Sequence, residues 1–209
     1  MAARPHAKRR QESAEQTRKL ILDAAQSLFV TQGYATTTIN DIAARARVAV
    51  ATVYTSVGGK PTLLRALIEA GVNDPETARN VAAVAVATEP GEVLRLIGVG
   101  TRYGHQSRPD TIRLMRAAPG MTASAAAAAR DGAAAYRQAL RTGAVRLDEL
   151  FALRPGLTVE RATQVLWFYF GLHSWPQLVD EGGWSYDEAQ RWLVDRATEA
   201  LLGPSAPGA

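Results

Sequence analysis

Residues 36–60 read TTTINDIAARARVAVATVYTSVGGK, and this stretch is the most informative part of the chain. It contains two short helical patterns that are separated by a tight break, and a tyrosine and a lysine stand near the end of the second. Two short helices at a fixed angle allow one helix to enter the major groove of DNA while the other braces it against the backbone. The stretch therefore predicts a helix-turn-helix.

The first helix of the pair is predicted to begin at Thr38, whose hydroxyl can accept a hydrogen bond from a free backbone N–H. Asp41 follows three residues later and suits the reciprocal partner of a capping box, where its negative charge also suits the helix dipole. Apolar residues recur at helical spacing and form one stripe. The stripe consists of Ile39, Ile42, Ala43 and Ala46.

Residues 45–48 form the break, and the second helix is predicted over residues 49–56 with Val53 facing inward. The glycine pair at residues 58–59 is predicted to end this helix, because glycine adopts the left-handed backbone conformation at low cost. By pattern alone, a pair of helices inside an all-helical core explains this stretch as well as a DNA-binding pair does.

A series of short motifs, in order and at matching spacing, extends over about residues 16–68. The motifs are Phe29 with Gly33-Tyr34, Thr37-Thr38, Asp41-Ile42-Ala43, Val48, Thr52-Val53-Tyr54, and Lys60 with Leu63-Leu64. Together they resemble the DNA-binding domain of the TetR family of transcriptional repressors. The resemblance implies an all-α protein in which three N-terminal helices bind DNA and a larger helical bundle senses a ligand and dimerises.

The chain departs from the family pattern at several positions. Arg47 stands where the family commonly has glycine in the break, and Ala49 stands where the recognition helix frequently begins with serine or threonine. Ser56 and Val57 replace aromatic residues, and Pro61 replaces an acidic residue. These changes keep the scaffold, leave the base preference open and remove one possible phosphate contact at Ala49.

Nine residues are predicted to contact double-stranded DNA. By resemblance, Thr38, Tyr54 and Lys60 occupy phosphate-binding positions, where hydroxyls and ammonium groups fix orientation without reading sequence. Small apolar side chains and threonines on the second helix can pack against a thymine methyl group. These side chains belong to Val50, Ala51, Thr52 and Thr55. Arg45 and Arg47 either reach phosphates from the break or are solvated charges.

The excess of basic charge lies in the N-terminal part of the chain. Residues 1–60 hold 9 Lys or Arg and 4 Asp or Glu, whereas the remainder holds 15 and 16. A basic excess in this place suits a polyanionic partner. Within it, residues 1–13 have little to bury and are predicted to be a disordered basic tail, which is either solvated or reaches into a minor groove.

The patterns predict three further segments. Residues 14–60 form the helix-turn-helix DNA-binding domain, residues 61–203 form the helical ligand-binding and dimerisation domain, and residues 204–209 form a second disordered tail. Residues 158–178 are apolar around most of a helix, and Pro176 is predicted to kink or end that helix. Ser185 begins a capping-box pattern that opens a last helix.

The apolar surface of these last two helices exceeds what one core needs, which favours a homodimer. The resemblance also places the dimer contact on the last two long helices. The predicted interface residues are Phe168, Gly171, Leu172, Trp175 and Trp192. The alternative is that these aromatic residues fill the core of a monomer. A dimer would present two reading helices to the two half-sites of a palindromic operator.

The resemblance implies a pocket for a small-molecule effector in the larger domain. Candidate lining residues combine aromatic walls with a few polar groups, as ligand sites usually do, and favour a hydrophobic ligand. They are Tyr103, His105, Met115, Tyr136, Trp167 and Phe170. Each of them can also be an ordinary core or surface residue. The predicted function is a ligand-responsive repressor, and the alternative is a ligand-binding or scaffold protein with a weakened DNA head.

Composition argues against other classes of protein. The 209-residue chain has no cysteine, which excludes disulfides and thiolate metal sites, and no cofactor or metal is expected. Three histidines and no hydrolase, metalloprotease or phosphate-loop motif argue against an enzyme. The N-terminus lacks the apolar run of a signal peptide, and charged residues interrupt the apolar region over residues 81–99. A cytoplasmic protein without a membrane span is therefore expected.

Overall fold

A computed structural model of the chain describes residues 5–117 and 121–202. Over these residues the chain is helical, and its one extended pairing is an isolated antiparallel bridge between Leu153 and Leu202. The predicted all-α class is thus confirmed. None of the helices in the described ranges combines the length and hydropathy that a membrane span requires.

Eleven α-helices and one π-helical turn follow one another along the described residues. They are α1 (Pro5–Thr31), α2 (Ile39–Ala46), α3 (Val50–Ser56), α4 (Lys60–Val72), α5 (Pro75–Val86), α6 (Pro90–Ser107), α7 (Pro109–Arg116), α8 (Ala123–Glu149), α9 (Val159–Phe170), α10 (Ser174–Pro176), the π-helical turn Gln177–Glu181, and α11 (Tyr186–Leu201).

The helices group into two compact units. The first unit comprises the described parts of Met1–Ala70 and Arg113–Arg130, and the second comprises those of Gly71–Ile112 and Asp131–Ala209. The first unit thus continues past residue 60, because α4 contributes buried leucines and an isoleucine to the core. The predicted tail over residues 204–209 lies outside the described residues.

Helix α1 begins earlier than the sequence pattern indicates. The sequence predicts a disordered tail over residues 1–13, but residues 5–13 are helical. Pro5 occupies the first turn, where its missing N–H costs little. One turn later, Lys8 Nζ lies 4.0 Å from Glu12 Oε1, in the i,i+4 arrangement that supports a helix. The correction applies from Pro5 onward, because the preceding residues lie outside the described range.

The core of the second unit lies among α5, α6, α8, α9 and α11. Leu94, Leu147 and Leu166 are fully buried there, each from a different helix. Gly143 allows α8 to approach α6 closely, since a Cβ at this position would lie 2.4 Å from Ile97 Cδ1. Helix α8 therefore needs the small residue for packing against its neighbour.

Helix α9 ends at Phe170, well before Pro176. Gly171 caps it with an extended backbone (φ −74°, ψ −161°), and a Cβ there would lie 2.3 Å from the carbonyl oxygen of Trp167. Gly171 thus ends the helix, and Pro176 instead lies at the end of α10, directly before the π-helical turn. The prediction that Pro176 kinks or ends this helix is therefore wrong, because the helix already ends at Gly171.

Candidate nucleic-acid interface

Helix α2 begins with the predicted capping box. Thr38 Oγ1 accepts a hydrogen bond from the Asp41 N–H at 3.2 Å, and Asp41 Oδ2 accepts one from the Thr38 N–H at 2.9 Å. The Thr38 hydroxyl also donates to Asp41 Oδ2 at 2.7 Å. The hydroxyl bond, followed by the backbone bond, holds the pKa of Asp41 below its usual value. Thr38 is therefore exposed but already engaged, and its hydroxyl would have to rotate to donate to a phosphate.

The turn between α2 and α3 depends on a left-handed residue. Arg47 has φ 56° and ψ 43°, at the position where glycine would be expected. Its N–H donates to the carbonyl of Ala44, and the Val48 N–H donates to the carbonyl of Ala43 at 3.0 Å. A non-glycine residue in this conformation costs roughly 1–2 kcal/mol. The turn keeps the form of a helix-turn-helix while its arginine side chain is exposed.

Helix α3 buries a single residue, Val53, which is fully inaccessible. Large apolar groups remain exposed on it, since Val50 is 39% exposed and Tyr54 is 56% exposed. Ala51 and Thr55 are also exposed, and the Thr55 hydroxyl donates to the Ala51 carbonyl at 3.0 Å. The surface that α3 leaves open is thus largely apolar, and Tyr54 and Thr55 add hydroxyl groups to it.

The two ends of α3 are held differently. Ala49 caps the N-terminus without a side-chain hydrogen bond. At the C-terminus, Arg18 Nη1 of α1 donates to the carbonyl of Ser56 at 3.1 Å. Gly58, with φ 118°, then reverses the chain, as the sequence predicts. Sequence reasoning missed the role of Arg18, because no local signal connects residues that are 38 positions apart.

Lys60 begins α4 and holds it to the turn before α2. Its ammonium donates to the Ala35 carbonyl at 3.2 Å and lies 4.6 Å from the centroid of the Tyr34 ring. Burial lowers the pKa of Lys60. Because Lys60 is only half-buried, its remaining N–H groups can still donate to an anion.

The two arginines that were predicted at the break have different surroundings. Arg45 Nη2 donates to Ser27 Oγ on α1 at 3.2 Å, whereas no partner for the Arg47 side chain is found among the described residues. All nine predicted DNA-contact residues belong to the first unit, and each is exposed or half-buried. They lie on α2, the turn, α3 and the first residue of α4.

A second apolar surface lies on the second unit. A groove of about 430 Å³ runs along α9, the π-helical turn and α11. Its lining includes Trp167, Phe168, Leu172, Gln177 and Trp192. Phe168 is 73% exposed and Trp192 is 41% exposed. An adjoining groove of about 340 Å³ shares Phe168 with the first. We call this surface the aromatic face.

Three residues predicted for a dimer interface are buried within a single protomer instead. Trp175 is 1% exposed and packs between His105 and Tyr186, with ring centroids 6.0 and 5.8 Å away. Gly171 is buried where α9 ends. The reason is that the chain turns inward after α9, which places Trp175 in the core. Leu172 is 4% exposed and lies in the lining of the groove.

Of the six residues predicted to bind a ligand, Tyr136, Trp167 and Phe170 contact one another. The Tyr136 hydroxyl donates to the Phe170 carbonyl at 2.7 Å, and its ring meets the Trp167 ring edge-on at 5.8 Å. Burial raises the pKa of Tyr136. His105 packs on Trp175, whereas Tyr103 lies under the guanidinium of Arg108. Met115 belongs to the first unit.

Comparison with known proteins places this helix pair in a family. Residues 21–67 match the family model described as bacterial regulatory proteins, tetR family. No curated protein matches the sequence. The capped pair α2–α3 thus defines a helix-turn-helix DNA-binding domain. Residues 21–67 therefore carry a DNA-binding domain of the tetR type.

Solved structures of regulators share the fold along most of the chain. NalD, the secondary repressor of the MexAB-OprM multidrug efflux pump in Pseudomonas aeruginosa, is 22% identical, with 91% of this chain and 98% of NalD covered and a TM-score of 0.73. SmeT, the repressor of the Stenotrophomonas maltophilia multidrug efflux pump SmeDEF, is 21% identical, with coverages of 92% and 94% and a TM-score of 0.69. FadR from Bacillus subtilis, in complex with stearoyl-CoA, is 15% identical, with coverages of 87% and 98% and a TM-score of 0.73. At these identities the likeness establishes the fold.

Proposed function

We propose that this protein is a ligand-responsive transcriptional regulator, and most simply a repressor, that binds a palindromic operator as a homodimer. The observation that carries the proposal is helix α3, which buries only Val53 and leaves Val50, Ala51, Tyr54 and Thr55 exposed within a basic unit. A helix that is anchored at its C-terminus and exposed along one surface suits insertion into a major groove. Such a regulator acts without catalysis and works in the bacterial cytoplasm, where the DNA lies.

In this proposal, the DNA contacts divide by chemistry. Tyr54, Lys60 and Thr38 hold phosphates and fix the orientation of the domain. Arg45 and Arg47 add positive charge beside them. The bases are met by the small side chains of α3, which read thymine methyl groups by contact. These side chains are those of Val50, Ala51, Thr52 and Thr55.

The aromatic face supports the proposed homodimer. Phe168 and Trp192 are large side chains that a lone protomer leaves exposed. Aromatic residues of this kind dominate the centres of protein interfaces. A two-fold axis on this face would bring the same residues together from both copies. We therefore assign the interface to Phe168 and Trp192, without the buried Trp175 and Leu172.

The proposed effector is a small hydrophobic molecule with a hydrogen-bond acceptor. SmeT has been solved with triclosan, which is largely apolar, and FadR with stearoyl-CoA, which carries a long apolar acyl chain. In this chain, the buried indole N–H of Trp175 has no hydrogen-bond partner among the described residues. A buried donor without a partner is rare and suits an acceptor on a ligand. The effector must bind the DNA-free form better than the DNA-bound form.

Selection of bound fragments from genomic DNA tests the function. We expect the purified protein to retain fragments with a palindrome, to bind them as a dimer, and to bind them more weakly as salt rises. Tyr54→Phe should weaken binding to every fragment, whereas Thr52→Val should change which fragment is preferred. A thermal-shift screen of apolar aromatic compounds then seeks ligands that also release the DNA.

The alternative of a ligand-binding protein with a weakened DNA head makes the opposite prediction. It rests on Ala49, which supplies no side-chain cap to α3. A protein that is stabilised by apolar compounds but retains no genomic fragment at low ionic strength would favour this alternative. A protein that binds DNA but that no compound releases would remain a DNA-binding protein without the proposed sensor.

A further inference from the structure

Helix α1 is longer than its packed part. Ile21 is its first fully buried residue, whereas residues 8–16 are all exposed. By the rise of about 1.5 Å per residue in an α-helix, this exposed segment extends for about two and a half turns. Burial of apolar side chains therefore does not explain why residues 8–16 extend the helix. Their charged side chains are the groups that can interact with a partner.

The exposed segment begins with three basic residues, Lys8, Arg9 and Arg10. Lys8 is near Glu12, but among the described residues Arg9 and Arg10 have no ion-pair or hydrogen-bond partner. This segment, KRRQESAEQ, has no apolar face that a membrane surface would require. Available guanidinium groups on a purely polar helix match the phosphates of a nucleic acid.

The position of this segment is set by the recognition helix. Arg18 on α1 is hydrogen-bonded to Ser56 at the C-terminus of α3. Helix α1 is continuous from Pro5 to Thr31, so Arg9 and Arg10 are carried on the same rod. From Arg18 to Arg9 the rod measures about 14 Å. Since one base pair occupies about 3.4 Å of duplex, this reach corresponds to about four base pairs.

We propose that Arg9 and Arg10 bind DNA phosphates in the flank of each half-site, up to about four base pairs beyond the groove that α3 enters. The proposal rests on the proposed DNA-binding function and adds a contact outside the helix-turn-helix. Because phosphates carry no sequence information, this contact lengthens the required duplex without narrowing the sequence that is read.

The test compares the full-length protein with the variant Arg9→Ala/Arg10→Ala on a duplex recovered from the genomic selection. The matched control is Arg79→Ala/Arg95→Ala, which removes the same charge from exposed side chains of the second unit. The slope of log K against log salt should become shallower by about 0.9 for each phosphate that the variant leaves unbound, and by about 3.6 for a dimer in which all four arginines are replaced. The control should keep the wild-type slope.

A series of duplexes with random flanks of increasing length gives a second readout. Wild-type affinity should rise until the flank reaches about four base pairs, and the affinity of the Arg9→Ala/Arg10→Ala variant should not. Equal slopes for this variant and the control, or equal responses to flank length, would overturn the flanking contact and leave the proposed function intact. Failure of the wild type to bind any fragment would overturn both.

Discussion

Helix α3 and the aromatic face both expose large apolar side chains, but their surroundings differ. On α3 the exposed residues are Val50 and Tyr54, among threonines, alanines and the exposed guanidinium of Arg47. On the aromatic face they are Phe168 and Trp192, which line grooves with other aromatic residues and leucines. Apolar side chains that are similarly exposed can therefore belong to surfaces with different partners.

The difference indicates which kind of partner can replace water at each surface. Small side chains beside cations fit a groove in which apolar methyl groups are flanked by phosphates. Large rings in an apolar groove gain most when a second apolar surface excludes water from them. We therefore expect substitutions on the two surfaces to have separable effects on DNA binding and on dimerisation.

The largest expected effect is on dimerisation. Phe168→Asp would place a charge in the centre of the proposed interface, and it should raise the dimer dissociation constant by about 100-fold or more. The fold should survive, because Phe168 is 73% exposed in one protomer. Sedimentation velocity over a concentration series measures the change. Phe151→Asp is the control, since Phe151 is 96% exposed but lies outside the grooves; an equal weakening of the dimer in both variants would refute the assignment.

A matching acidic substitution on α3 tests the recognition helix. Val50→Asp sets a carboxylate among phosphates and should weaken DNA binding about 10- to 100-fold through like-charge repulsion. Its position in the first turn of α3 tolerates an acidic residue, so stability should be kept. Fluorescence anisotropy on a selected duplex gives the affinity, and sedimentation should still report a dimer. Unchanged affinity would show that α3 does not enter the groove.

A smaller effect is expected behind the aromatic face, where the Tyr136 hydroxyl supports the end of α9 through the Phe170 carbonyl. Tyr136→Phe should lower the free energy of unfolding by about 1 kcal/mol at neutral pH. Burial raises the pKa of Tyr136 above its ordinary value of 10.0, so the folded form retains the proton while the unfolded form loses it. The stabilisation from Tyr136 is thus complete below about pH 10 and declines as the pH rises further.

Urea unfolding at about pH 8 and about pH 11 measures both parts of this prediction. The difference between wild type and Tyr136→Phe should narrow at the higher pH, because only the wild type loses this contribution there. The other tyrosines are shared by both proteins and cancel in the comparison. A difference that is constant or widens with pH would contradict the role of the buried hydroxyl.

The smallest effect is expected at the turn before α3. Arg47→Gly relieves roughly 1–2 kcal/mol of backbone strain but adds roughly 0.5–1 kcal/mol of conformational entropy to the unfolded chain, so its net effect should be a stabilisation of roughly 0–1.5 kcal/mol. Arg47→Ala removes the same charge and keeps the strain. Thermal unfolding should therefore rank the glycine variant above the alanine variant, while both bind DNA equally. A more stable alanine variant would mean that the φ of 56° carries no strain.

Local signals predicted much of the first unit. The capping box at Thr38, the turn at Arg47 and the glycine reversal at Gly58 were each readable, because each depends on residues within a few positions of one another. The start of α1 was not predicted correctly. Its first residues are polar and resemble a disordered tail by composition, but they continue a helix whose later turns are packed. The contact of Arg18 with Ser56 could not be predicted from sequence, because the two residues are far apart along the chain.

Sequence alone determined that the chain is all-helical, that its DNA-binding helices lie near the N-terminus and that aromatic residues gather near the C-terminus, since spacing and capping are local properties. Tertiary structure decided which aromatic residues are core and which are surface. Trp175 and Phe168 are only seven positions apart, yet one is buried and the other exposed. Helix α9 ends at Gly171 between them, and burial depends on what a side chain meets in space.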